Sequence, residues 1–180
     1  GLGDDDHAAQ LAGAAIVSDL AVVLDADGLA PYAGEPERLA RPAPLIITPH
    51  AGELGRLLGV TSAEIGEARL DRAREAARRS GAIVVLKGDD TIIALPDGRA
   101  AVNDLSAPAL ATAGTGDVLA GAIGALLATG IDPWLAACAG VRLHARAGRL
   151  AAAAVGGTSG VVALDVAEQL PAARSLARPV

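Results

Sequence analysis

The 180-residue chain contains no Met and no Phe, one Trp, one Tyr and one Cys, and only one Lys among its fifteen Lys and Arg residues. With Cys138 alone, no disulfide framework can form. Three scattered His and that one Cys make no metal-ligand pattern, so a structural metal is not expected. The net charge is -6 and there is no basic run, which argues against nucleic acid or an anionic membrane as a partner. The longest nearly apolar stretch, residues 118–131, is too short and too Gly-rich to span a bilayer. No basic-then-apolar leader opens the sequence. The expectation is a soluble, cytoplasmic protein, with small anions still admissible through local backbone amides. The missing Met, with Gly1 opening what reads as a loop, adds the expectation that this is the later part of a longer protein.

The hydrophobic content of 52% is enough for a sizeable core, and the length fits one domain over residues 1–180. Gly1-Leu2-Gly3 reads as a turn after a missing strand, with an apolar-patterned helix over residues 7–19. Short β-branched runs follow at residues 20–24, 45–48 and 82–86, each ending at polar residues. Residues 31–44 form a Pro-rich connection, and Ala51-Gly52-Glu53 begins a helix. Thr61 and Glu64 fit a capping box for one charged, solvated helix reaching about Arg79. Residues 91–95 and 99–103, joined by Pro96-Asp97-Gly98, read as a hairpin. Helices are expected from Asp117, from Pro133 in a first turn, and from about Leu164 to Leu170. The fold class is α/β: three layers, with a mostly parallel sheet and an antiparallel edge hairpin.

In such a sheet, residues that follow strands share the carboxyl edge, where ligands bind. Gly3, Asp25, Asp27, His50 and Lys87 all do so. Gly114-Thr115-Gly116-Asp117 precedes an apolar helix. Its glycines open turn geometries closed to other residues, its amides and the helix dipole favour a phosphate, and Asp117 stands beside them as a base. The same turn also reads as a loop capping a core helix. Lys87, beside Gly88, suits a phosphate contact as a compact ammonium, or is a surface lysine. His50 either bonds a polar ligand or is structural. Glu53 already has a role in a first helical turn, and for Asp25 and Asp27 the turn reading is favoured over help to Mg²⁺ through water. His7, His144 and Cys138 fall in helical patterns as packing or surface groups.

Taken together, Gly1-Leu2-Gly3, Asp25-Ala26-Asp27, Thr48-Pro49-His50-Ala51-Gly52-Glu53, Val85-Leu86-Lys87-Gly88-Asp89-Asp90-Thr91 and Ala113-Gly114-Thr115-Gly116-Asp117-Val118-Leu119-Ala120-Gly121 resemble the ADP-dependent NAD(P)H-hydrate dehydratases of the ribokinase-like superfamily. The Gly-Thr-Gly-Asp motif marks the superfamily, and the Thr-Pro-His and Lys-Gly-x-x-Thr blocks are more specific. Order and spacing match over essentially the whole chain, including Leu143-His144 and Ala147-Gly148. Two departures stand out: the family's N-terminal part is absent, and its usual Thr-Gly-Asn is replaced by Leu105-Ser106-Ala107.

The resemblance implies restoration of NADH or NADPH from the hydrates NADHX and NADPHX, with ADP (or ATP) as co-substrate and Mg²⁺ as cofactor. It implies Asp117 as base, Gly3, His50 and Asp117 on the hydrate, and Lys87, Gly88, Asp89, Asp90, Thr91, Gly114, Thr115 and Gly116 on the nucleotide. A homo-oligomer, and an NAD(P)HX epimerase as partner or fused domain, complete the expectation. A ribokinase-like kinase of a small vitamin precursor such as hydroxymethylpyrimidine, and a non-catalytic nucleotide-binding module, are the alternative readings.

Overall fold

The computed structural model describes residues 6–175. Five short strands form one sheet in the order β1 (Val22–Leu24), β2 (Leu45–Ile47), β3 (Ile83–Leu86), β4 (Ile92–Ala94) and β5 (Ala100–Val102). The first three are parallel, while β4 runs antiparallel to β3 and to β5. The mostly parallel sheet with an antiparallel edge hairpin is thus observed. Pairing continues past the strands, since the Thr48 amide donates to the Leu24 carbonyl and the Lys87 amide to the Pro49 carbonyl. These extra bonds stitch together the carboxyl ends of β1, β2 and β3.

Strand alternation sorts the core into two layers. Leu24, Leu45, Ile47, Val84, Leu86 and Ile92 face one side, against α1 (Asp6–Val17), α2 (Ala51–Leu58), α3 (Ser62–Glu67) and α4 (Arg69–Ser80). Ile46, Ile83, Val85 and Ile93 face the other, against Leu119 and Ile123 of α5 (Thr115–Ala128) and Ala137 and Val141 of α6 (Pro133–Val155). A third cluster joins α6 to α7 (Ala163–Ser175). Among the described residues, no helix is long and apolar enough to cross a membrane.

Local chemistry sets the boundaries. The Arg41 guanidinium donates to the Ala15, Ser18 and Leu20 carbonyls, supplying partners where α1 runs out of its own. Thr61 and Glu64 form the expected capping box. The single helix expected from there to Arg79 is instead two: Ala68 leaves helical geometry at φ −141°, ψ 45°, just after Gly66 weakens the turn. The Pro-rich connection is not featureless, because 3-10 helices at Ala26–Tyr32 and Pro36–Leu39 bury Tyr32 and Leu39. The last helix runs past the expected stop at Leu170 and contains Pro171. Val166 and Ala173, both fully buried, hold it against its neighbours and outweigh the lost hydrogen bond.

Candidate active site

The three parallel strands end together, so Asp25, His50 and Lys87 come to one rim. There they line a cavity of about 480 Å³ whose opposite wall is the amino end of α5. Lys87 is tied down within it. Its Nζ donates to Asp25 Oδ1 at 2.8 Å and lies 3.7 Å from Glu53 Oε2. All three side chains are largely buried. A single ammonium set between two carboxylates is held in a fixed position. The expected turn role of Asp25 is corrected: its side chain makes no capping bond to the 3-10 helix that follows, and it goes to Lys87 instead.

His50 is the N-cap of α2, not a free ligand-seeking group. Its Nδ1 accepts from the Gly52 and Glu53 amides at 2.9 and 3.2 Å, and Glu53 Oε2 accepts from the His50 amide at 2.7 Å. This reciprocal box puts the proton of a neutral imidazole on Nε2, which lies 3.4 Å from Glu53 Oε1. Half of the ring remains exposed at the cavity wall, so one donor stays presented.

At the amino end of α5, Gly114 has φ +84° and begins the helix, which starts at Thr115 rather than Asp117. The Thr115 hydroxyl is spent on the Leu110 and Thr112 carbonyls. The expectation that Gly116 also supplies turn geometry is corrected. It lies inside the first helical turn, and what it provides is proximity: a Cβ there would sit 3.4 Å from Lys87 Nζ and 3.6 Å from Asp25 Oδ2. Asp117 is exposed on the cavity wall, and among the described residues its carboxylate has no hydrogen-bond or ion-pair partner. An unpaired carboxylate beside free helix amides is suited to take a proton.

Gly88, Asp89 and Thr91 line the same cavity, but Asp90 does not; it turns to Arg69, with Arg69 Nε 2.9 Å from its Oδ1. Gly3 lies outside the described residues. The segment carrying Leu105-Ser106-Ala107 supplies wall residues, among them Leu105, Ala107 and Leu110. Sequence reasoning missed the part that three groups play here. Asp25 and Glu53 were legible only as counter-charges to the lone lysine. His144, assigned to packing, lines the cavity from α6, is 7% exposed, and has an Nε2 with no partner. Burial pushes its pKa down from 6.5 to about 4; a backbone hydrogen bond with Thr115 opposes this and Lys87 adds to it, so the ring is neutral above that pH.

Among the described residues no three His, Cys, Asp or Glu converge as a metal site. Mg²⁺ retains waters and prefers phosphate oxygens, so this donor set fits the ion only as part of a nucleotide, with the cavity carboxylates open to its waters.

Comparisons with known proteins identify the family and the fold. The NAD(P)H-hydrate dehydratase family model matches residues 1–172. The ADP-dependent (S)-NAD(P)H-hydrate dehydratase of Neisseria meningitidis is 44% identical over 162 residues, covering 88% of this chain and 54% of that protein. The chain therefore spans about half the length of that relative. Among solved structures, the Bacillus subtilis ADP/ATP-dependent NAD(P)H-hydrate dehydratase, co-crystallised with ATP/Mg²⁺, superposes with a TM-score of 0.85 at 33% identity, covering 98% of this chain and 62% of that one. A ribokinase-like superfamily protein from Enterococcus faecalis matches at a TM-score of 0.76 and 26% identity, over 98% and 61% of the two chains. The fold is ribokinase-like, and the chain belongs to the NAD(P)H-hydrate dehydratase family.

Proposed function

We propose that this chain carries the catalytic half of an ADP-dependent dehydration of NADHX and NADPHX, giving NADH and NADPH with AMP and phosphate. The observation that carries the reading is the convergence, in one cavity, of the Gly114–Asp117 turn with the Lys87–Asp25 pair and His50. Hydroxide is a poor leaving group, and phosphorylation makes the hydrate's hydroxyl a good one. Asp117 accepts the hydroxyl proton as that oxygen bonds to the terminal phosphorus of ADP. The bond from that phosphorus to the bridging oxygen breaks, and AMP departs with the electron pair. Phosphate then leaves the hydrate carbon with the C–O electron pair while the adjacent ring carbon gives up a proton to water, and the new C=C bond restores the reduced nicotinamide.

Each protein group has a task in this scheme. The α5 amides and Lys87 hold phosphoryl charge, and the Asp25 and Glu53 carboxylates keep Lys87 aimed. His50 offers Nε2–H to the hydrate. Lys87, Gly88, Asp89 and Thr91 embrace the nucleotide. When bound with it, Mg²⁺ neutralises charge on the transferring phosphoryl group. Phosphate release from ADP, measured with and without NADHX, tests the reading. Hydrate-dependent release is expected, whereas ADP formation from ATP with hydroxymethylpyrimidine would make the protein a kinase, and nucleotide binding without turnover would make it a binding module.

A further inference from the structure

Arg69 opens α4 directly after the break at Ala68 and does not itself line the cavity. Its guanidinium lies against the backbone of the loop that carries Lys87. Nη2 donates long hydrogen bonds to the carbonyls of Lys87 at 3.4 Å and Asp90 at 3.5 Å, while Nε pairs with the Asp90 carboxylate. From within the loop, the Thr91 hydroxyl donates to the Gly88 carbonyl at 2.8 Å. Three loop carbonyls, those of Lys87, Gly88 and Asp90, therefore each meet a donor. Gly88 is where the guanidinium passes: a Cβ there would stand 2.4 Å from Arg69 Nη2 and 2.9 Å from its Cζ. The φ of Gly88 is not in the left-handed region, so the backbone alone does not require glycine.

We propose that Arg69 is a positioning residue for the anion-binding loop, and that residue 88 is glycine to let the Arg69 guanidinium through rather than to let a nucleotide approach. Lys87 is thereby clamped from two sides, its side chain by Asp25 and its carbonyl by Arg69. Carbonyl oxygens repel phosphate, and engaging them with a cation leaves the loop electrostatically receptive to one. A lysine at residue 69 would supply the charge but not the planar fork that reaches two carbonyls and a carboxylate together. The helix break gains a purpose as well, since it starts a new helix at the residue that must reach the loop.

The positioning half of this proposal rests on the loop being nucleotide-binding, whereas the passage of Arg69 over Gly88 does not. A double-mutant cycle on the full chain separates them, with Gly88→Ala, Arg69→Gln and the pair compared by thermal denaturation and by calorimetric titration with ADP. Each single variant is expected to weaken ADP binding about tenfold, in the range of coupling between touching residues, and Arg69→Gln, whose side chain lies outside the cavity, to keep kcat within about threefold of wild type. With Arg69 already replaced, Gly88→Ala should cost almost nothing further in either readout. If Gly88→Ala is as damaging in the Arg69→Gln background as alone, residue 88 serves the ligand or the backbone and the proposal is overturned. Wild-type affinity in Arg69→Gln overturns the positioning role. A wild-type chain that binds no ADP refutes the nucleotide reading and the positioning role together, while the thermal cycle still decides the passage. Should Arg69→Gln not fold, Arg69→Lys supplies the same comparison, because it retains the stem and lacks the fork.

Discussion

The most informative single residue is His144, because burial has moved its titration well away from that of an exposed imidazole. Its folded pKa, about 4, lies below the unfolded 6.5, so between those values the unfolded chain binds the extra proton. Stability therefore falls as pH drops from 6.5 to about 4, and this contribution is constant outside that window. The gap corresponds to at most about 3 kcal/mol. His144→Gln should flatten the profile there, as read by urea denaturation at pH 7, 5.5 and 4.5; superimposable profiles would refute the assignment. Asp117 is tested on activity. Asp117→Asn keeps size and removes the basic oxygen, so turnover should fall roughly 10²- to 10⁴-fold with nucleotide affinity nearly intact, and a variant retaining more than about a tenth of the rate would not be missing its base. The composition made Lys87 conspicuous as the one lysine, but not its confinement between Asp25 and Glu53. Those partners lie 62 and 34 positions away, beyond the reach of any local pattern.

Among the elements, the strands and the Thr61 cap were the most legible because their signals are local: β-branched runs, and Thr61 with Glu64 three residues on. Helix continuity was less so. The charged pattern of residues 61–79 reads as one helix, with Gly66 the one weak sign of the break at Ala68, and Pro171 argues for a stop that packing of Val166 and Ala173 overrides. Helix seams depend on single atoms that periodicity cannot report. Where α5 meets α6, a Cβ on Gly140 would lie 2.5 Å from Ile123 Cγ1 and 3.4 Å from its Cα. Gly140→Ala should therefore lower stability by about 1–3 kcal/mol, the cost of overpacking a filled core. Pairing it with Ile123→Val should not help, because the Cγ1 branch and the backbone remain; in an Ile123→Ala background, itself destabilised by the lost core side chain, adding Gly140→Ala should cost less than it does in the wild type. Equal stability of Gly140→Ala and wild type in chemical denaturation would show that the two helices separate freely.

At the scale of the whole molecule, the sequence located the cavity because parallel strands end at one edge, and that rule needs only strand order. It did not reveal that both core layers meet there. Asp25 and Lys87 extend from strands, Asp117 and His144 come from the two helices covering one face, and Glu53 comes from a helix covering the other. A ligand filling the cavity thus bridges parts that otherwise touch mainly through the sheet, and binding should stabilise the entire fold. At a hundredfold excess over Kd, linkage gives about 2.7 kcal/mol, which for a chain of this size raises Tm by roughly 5–10 °C. The overall charge of -6 opposes any anion at long range. The gain must therefore come from short-range contact, above all with the α5 amides and Lys87, both of which attract phosphate. ADP should raise Tm by that amount and sulfate by less, while adenosine, lacking phosphates, should do little. Adenosine matching ADP in a thermal-shift titration would mean that the base, not the phosphates, carries the affinity, and the α5 turn would lose its place in the site.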